Sequence, residues 1–310
     1  MNRSSIALAL ALALLLLGCD QAEVPQAADS PFGVARPATT APAFALTGFA
    51  VPESAHYDPV DDVYYVSNVA TLFEQDGFIS RIRPSVSGDV SGEPGYQWIN
   101  GLNSPFGIAL QGDVLHVVDR DGLYSFAIDR ATGTASPAGF VPLGGEGSLL
   151  NDVCIGNDGT IYVTDTAFDV ATSTPTGADA IYRIRDGEAS TLLAGTHLEG
   201  PNGCYVDGAN VYWTTFFSNT LYRTNPSGRV FTAATLPEGG IDSVARVGGF
   251  FYLSSWDGSA VYRTSSGGSQ ATPVASVETP GDMGYDTRRH RLLVPSVFSA
   301  DGAVYVVPLH

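Results

Sequence analysis

One phrase recurs six times along this 310-residue chain, and it constrains the architecture more than any other feature. Each copy has a polar turn carrying Glu, Asn or Asp, an apolar strand, a Gly/Asp turn, a second strand and a third strand often reading aliphatic-Tyr-Arg. The second strands read VYYVSN from Val63, VLHVVD from Val114, TIYVTD from Thr160, NVYWTT from Asn210, FFYLSS from Phe250 and RLLVPS from Arg291. The third strands begin at Phe78, Leu123, Ile181, Leu221, Val261 and Val304. A period of about 40–50 residues with several strands per copy predicts a β-propeller. A fourth strand falls in the link to the next copy, as at 96–99 and 191–194. The last copy ends at 304–309 without one, and Phe44-Ala45-Leu46-Thr47 can fill that place. The expectation is an all-β, six-bladed propeller over residues 42–310, closed by strands from both termini so that no edge is left open. A two-sheet Greek-key sandwich is the other candidate, but it has no need of six copies of one phrase.

The N-terminus predicts export. Arg3 precedes an apolar run from Ile6 to Leu17, too short for an ordinary span, and Leu16-Leu17-Gly18-Cys19 has the form of a lipobox. Residues 1–18 are expected to be a lipoprotein signal peptide and Cys19 the lipidated residue. Residues 19–41, rich in Ala, Pro and Thr, are expected to tether the domain to a bacterial envelope membrane, facing the periplasm or the cell surface. The formal charge of −17 becomes one unit more negative once Arg3 leaves with the signal, which excludes nucleic acid as a partner. A monomer is expected. Cys154 and Cys204 lie at different offsets from the Asn that opens each strand; the pleat should turn them to opposite faces, so two buried free thiols are expected.

Aligning the residue that opens each first strand gives Glu53, Asn151, Asn202, Asp242 and Asp282, with Pro105 breaking the series in the second copy. First strands line the channel of a propeller, so these side chains should converge on the axis at one face. Oxygen donors without thiolate or imidazole suit a hard cation, and an irregular ring favours Ca²⁺ over Mg²⁺. The second strands return to the same face, ending at Asn68, Asp119, Asp165, Thr215, Ser255 and Ser296. The loops beyond carry Phe73, Phe168, Phe216, Phe217, Trp256 and Phe298, an aromatic rim suited to an amphiphilic substrate. The longest of these loops, 166–180, is a candidate partial lid. His56 and His116 read as strand histidines; His197, in a loop toward this face, is a candidate base.

In Pro52-Glu53, Asn151-Asp152, Pro201-Asn202-Gly203 and Ile241-Asp242 the chain resembles the six-bladed calcium propellers: the senescence marker protein/gluconolactonase group, diisopropyl fluorophosphatase and the paraoxonases. The resemblance spans about residues 44–310. It implies that Glu53, Asn151, Asn202 and Asp242 hold one catalytic Ca²⁺, while Asp152 orients these donors or touches a second, structural ion. Asp282, Asp119 and Asp165 would stand behind the donors or at the rim. It also implies hydrolysis of a lactone or related ester, with Asp242 and Glu53 as catalytic residues; His197 stays a candidate by its loop position alone. One departure matters: Phe106 stands where paraoxonases carry a His of their proton-relay pair. The phrase Pro105-Phe106-Gly107-Ile108-Ala109 also resembles non-catalytic NHL-type propellers, so a lipoprotein that binds a ligand or a protein is the rival reading.

Overall fold

The computed structural model describes residues 42–265 and 270–309. The expected signal peptide, the lipid site at Cys19 and the tether lie outside the described residues. The chain forms a ring of six antiparallel blades. Blade 1 comprises Pro52–Asp58, Val63–Asn68, Gly77–Ile82 and Ile99–Leu102. Blade 2 follows with Ile108–Gln111, Val114–Asp119, Gly122–Asp129 and Thr134–Pro142. Blade 3 has Leu150–Ile155, Ile161–Asp165, Ala180–Arg185 and Glu188–Ala194; blade 4 has Pro201–Asp207, Asn210–Thr215, Thr220–Thr224 and Val230–Thr235. Blade 5 has Ile241–Val247, Phe250–Ser255, Ala260–Ser265 and Thr272–Ser276. Blade 6 joins Gly284–Asp286, Arg291–Pro295 and Val304–Pro308 to Phe44–Thr47 from the other end of the chain. That last pairing is antiparallel, with Phe44 opposite Val306 and Leu46 opposite Val304, so both termini close the ring as the repeat predicts.

Period-2 alternation along each inner strand sends side chains toward the blade before and the blade after. In blade 1, Tyr64 and Val66 pack toward blade 6 with Leu46, Leu293 and Val306. Val63 and Tyr65 pack toward blade 2 with Leu115, Val117 and Phe126. The core is thus a set of wedges between blades rather than one central cluster. At the end of the ring that carries the turns between first and second strands, ion pairs stitch neighbouring blades: Arg130 holds Asp58 and Asp61, Arg289 holds Asp62, and Arg246 holds Asp207.

Two expectations are corrected. The fourth strand of blade 1 starts at Ile99, not Tyr96. Tyr96 sits in a turn, where its ring packs edge-on against Phe78 and its hydroxyl donates to the Gly48 carbonyl, 2.7 Å. The cysteines are not free thiols: Cys154 and Cys204 form a disulfide with their Cα atoms 5.7 Å apart. They do point to opposite faces of their own sheets, since Cys154 pairs with Tyr162 whereas Cys204 pairs with Trp213, at the register where blade 3 has Val153 opposite Val163. In a ring, however, opposite faces of adjacent blades look at each other. The bond therefore fills the wedge between blades 3 and 4 with Val211.

Candidate metal centre and cavity

The first strands of blades 1, 3, 4 and 5 share an irregularity at their opening residues. Register shifts fall between Pro52 and Ala55, Leu150 and Val153, Pro201 and Cys204, and Ile241 and Val244. Each is a bulge whose first residue is Glu53, Asn151, Asn202 or Asp242. A bulge takes a residue out of the ladder and re-aims its side chain. Here it releases four oxygen-bearing side chains from the pleat, and all four line one cavity of about 1110 Å³. Blades 2 and 6 shift register at the same place: the Phe106 N–H and the Gly107 carbonyl both bond Val118, and Pro280 pairs with Ser296 one residue out of step with Gly284 and Leu293. Against expectation, the residues in register with the four donors are Phe106, which lines the cavity without an oxygen to give, and Gly281; Pro105 and Asp282 lie one residue to either side and do not line it.

The four side chains are buried, with 2–5 % exposure. One oxygen of each, Glu53 Oε2, Asn151 Oδ1, Asn202 Oδ1 and Asp242 Oδ1, is buried without a hydrogen-bond partner. Buried acceptors are nearly always paired, because an unpaired one keeps its full desolvation cost. The other buried polar atoms in this condition belong to residues outside the cavity lining. Among the described residues no three His, Cys, Asp or Glu side chains group as a metal site. The set here is two carboxylates and two carboxamides, a donor chemistry suited to a hard oxygen-loving cation and not to zinc or copper.

The electrostatics favour a cation as well. Burial, and then the charges of Asp242, Asp282 and Asp152, push the Glu53 carboxyl well above the usual range. Burial and Asp282 do the same to Asp242. Asp152 is raised by burial and by Asp282, and burial pushes Asp282 up to about 6. Four carboxyls repel one another around one end of the channel, and a divalent cation among them would offset that repulsion.

Asp152 and Asp282 do not offer free oxygens. Asp152 accepts from the backbone N–H groups of Val153 and Cys204, each at 2.6 Å. Asp282 accepts from the hydroxyls of Ser54, 2.6 Å, and Ser243, 2.7 Å. Gly203 has to be glycine, because a Cβ there would lie 2.5 Å from the Asp242 carbonyl.

A row of hydroxyls that sequence reasoning missed supports the bulges. Ser67, Thr164 and Ser254 accept the N–H groups of Ser54, Asp152 and Ser243, at 2.9, 3.0 and 2.8 Å. Thr164, Thr214 and Ser254 also donate to a carbonyl of the next blade, at Asn202, Asp242 and Gly281. The signal was present in the sequence. The residue before the last of each second-strand phrase is Ser or Thr in the four blades that give an oxygen, and Val118 or Pro295 in the other two.

Asp119 and Asp165 line no part of the cavity. They anchor the loops that lead into their blades, Asp119 through the N–H groups of Asn103 and Ser104 and Asp165 through that of Leu149. Phe168, Phe216, Trp256 and Phe298 line the cavity; Phe73 and Phe217 do not. Phe217 supports the wall from outside, its ring 5.9 Å from that of Phe168 and 6.0 Å from that of Phe216. Within 166–180, Phe168–Asp169 and Thr174–Pro175 form a small hairpin that brings Phe168 and Val170 into the wall. Segments not foreseen from sequence, 48–51, 69–72 and 297–302, form the rest of the wall, and Phe106 joins them. His197 is exposed on a short 3₁₀ turn and does not line the cavity.

No protein-family model matches the sequence, and no curated protein does. Solved structures match the fold. A gluconolactonase from Xanthomonas campestris aligns with TM-score 0.61 and 16 % identity, over 85 % of this chain and 88 % of that one. The calcium-binding protein regucalcin from Agrobacterium tumefaciens aligns at 0.60 and 18 %, over 87 % and 95 %. A virginiamycin B lyase from Staphylococcus aureus aligns at 0.56 and 13 %, over 86 % and 98 %. The gluconolactonase and regucalcin structures belong to the group that the sequence motifs resemble. At these identities the likeness establishes the six-bladed fold, and activity has to be argued from the site.

Proposed function

We propose that this propeller is a calcium-dependent hydrolase of lactones or related esters. The observation that carries the reading is the set of four orphaned, buried oxygens facing one cavity. Glu53, Asn151, Asn202 and Asp242 would hold the ion. When bound, Ca²⁺ supplies electrophilic polarisation of a carbonyl and stabilisation of the developing negative charge. The chain's own groups then divide the remaining work. Asp242 lines the cavity, as Trp256 does, and would take the proton of the attacking water. Phe106 supplies no proton relay, and His197 lies outside the cavity.

The wall narrows the substrate class. Phe49, Val51, Val69, Leu72, Phe168, Phe216, Trp256, Val297 and Phe298 line the cavity, and no Arg, Lys or His does. A neutral lactone or ester with an apolar substituent fits that lining. A carboxylate- or phosphate-bearing substrate would find no cationic side chain there, only the ion itself. A lipid anchor at Cys19 and an envelope location belong to the same proposal. The Cys154–Cys204 disulfide supports them, since such bonds persist in oxidising compartments. The test is a panel of aliphatic and sugar lactones, aryl esters and organophosphates, assayed with calcium and after chelation. Calcium-dependent turnover, strongest on neutral lactones with apolar substituents, is expected. No turnover on any member by calcium-loaded protein would favour the binding-propeller reading.

A further inference from the structure

Asp282 opens a blade that contributes no donor, yet it touches both blades that contribute an anionic one. Its Oδ2 accepts from Ser54 and its Oδ1 from Ser243, the residues next to Glu53 and Asp242. Both serines are fully buried. Its backbone brackets Glu53 as well: the Asp282 N–H donates to the Glu53 carbonyl, 2.8 Å, and the Ala55 N–H donates to the Asp282 carbonyl, 3.1 Å. The Met283 N–H donates to Ser243 Oγ at 2.8 Å, which directs the Ser243 proton onto Asp282. With both carboxylate oxygens engaged and the side chain outside the cavity lining, Asp282 is not placed as a donor to an ion.

We propose that Asp282 is a positioning residue for the cation site: its carboxylate clasps Ser54 and Ser243 and so fixes the two bulges that carry Glu53 and Asp242. Blade 6 thereby joins a site to which it gives no donor, by tying blade 5 to blade 1 across itself. Aspartate suits the task because a carboxylate accepts two hydroxyl protons at once, one per oxygen, whereas an amide accepts at one oxygen only. Without it, two buried hydroxyls lose their acceptor and the bulges lose the link that sets their separation. The inference rests on the four-donor reading above.

The test separates positioning from charge. Asp282→Asn removes the charge and one arm of the clasp, since its amide accepts at one oxygen only; Ser54→Ala/Ser243→Ala removes the clasp and keeps the charge. Calcium affinity is measured by calorimetry, and thermal melting in chelator reports the fold. Both variants are expected to bind calcium on the order of 10–100-fold more weakly. Melting in chelator should shift little. The triple variant should be no weaker than Asp282→Asn alone, because the two changes break one device. Wild-type affinity in the double serine variant would overturn the proposal, since Asp282 would then act by charge alone. So would a triple variant showing the product of the separate losses, or an affinity loss matched by a collapse of melting in chelator. A wild type that takes up no calcium would overturn the four-donor reading and this one with it; uptake intact in the variants overturns this one only.

Discussion

Blades 1, 3, 4 and 5 differ from blades 2 and 6 in one local arrangement, and the centre of the molecule follows from that difference. In the four, a Ser or Thr near the end of the second strand supports a bulge in the first, and the bulge turns an oxygen-bearing side chain onto the axis. In blade 2, Val118 stands in place of the hydroxyl. Its N–H donates to the Gly107 carbonyl and its own carbonyl accepts from the Phe106 N–H, so two residues face one and the bulge is kept, with apolar Phe106 where those four blades set a donor. In blade 6, Pro295 has no hydroxyl to offer, and its carbonyl takes the Gly281 N–H. A repeat of six units thus yields an asymmetric site. Donors come from those four blades, while Phe106 and the 297–302 loop of the other two give wall. The bulge recurs round the ring, and the residue type set on it decides which blade gives a donor.

The largest effect should come from removing charge at a bulged position. Asp242→Asn is expected to weaken calcium binding by on the order of 100-fold or more, above the loss usual for an outer group. Pro105→Asn, which puts a carboxamide one residue before the blade 2 bulge, should not add a donor or tighten binding. Calorimetry on both variants checks the contrast, and tighter binding by Pro105→Asn would break it. Next in size is the bond between the two carboxamide blades. Replacing Cys154 and Cys204 by Ser should cost about 2–4 kcal/mol of stability, read by denaturant unfolding. A smaller loss of calcium affinity should follow, because Cys204 N–H holds Asp152 one residue beyond Asn151.

Acidification should act in the same direction more weakly. The cavity carboxyls are raised by burial and mutual repulsion, and Asp282 is pushed up to about 6. Below such a value the protonated form dominates, and calcium must displace protons to bind. Affinity should therefore fall on lowering the pH through 6, by roughly tenfold per unit for each proton displaced. The heat of binding at pH 6 should also depend on the ionisation enthalpy of the buffer. A flat affinity from pH 7 to 5 would show that the donors are already ionised without the ion.

The sequence carried the ring well, because six copies of one phrase with a missing last strand leave little freedom, and strand 44–47 pairs where that gap placed it. The donor register was also legible: the residues that open the first strands at Glu53, Asn151, Asn202 and Asp242 are the ones brought to one cavity. The cysteine pair was not, because the face a residue occupies is a property of one strand while a disulfide depends on which blade faces it. The apolar wall escaped notice for a similar reason: segments 48–51 and 297–302 come from opposite ends of the chain and meet only on closure. Asp119 and Asp165 looked like groups around an ion. Their neighbours are loop amides, which no spacing along the chain reveals. Asp282 belonged to the aligned series yet sits behind it, because the blade 6 bulge puts Gly281 in register with the donors and Asp282 one residue on.

The finest contrast exchanges the supporting residue between the two kinds of blade. Thr164→Val keeps the shape of the side chain and removes the hydroxyl. The Asp152 N–H then loses its acceptor, and the Asn202 carbonyl loses a donor at 2.5 Å. Leaving buried backbone groups unpaired costs about 1–3 kcal/mol, so a loss of that order is expected in denaturant unfolding. A modest drop in calcium affinity should accompany it, since Asn151 and Asn202 flank the two contacts. The reciprocal Val118→Thr places a hydroxyl in blade 2, where the backbone ladder is already complete. It should leave calcium affinity unchanged and stability lower by no more than about 1–2 kcal/mol, the cost of burying a hydroxyl that can find some partner. If Thr164→Val binds calcium as the wild type does and unfolds at the same denaturant concentration, the hydroxyls do not support the bulges. The difference between the four blades and the two would then lie in the first strands alone.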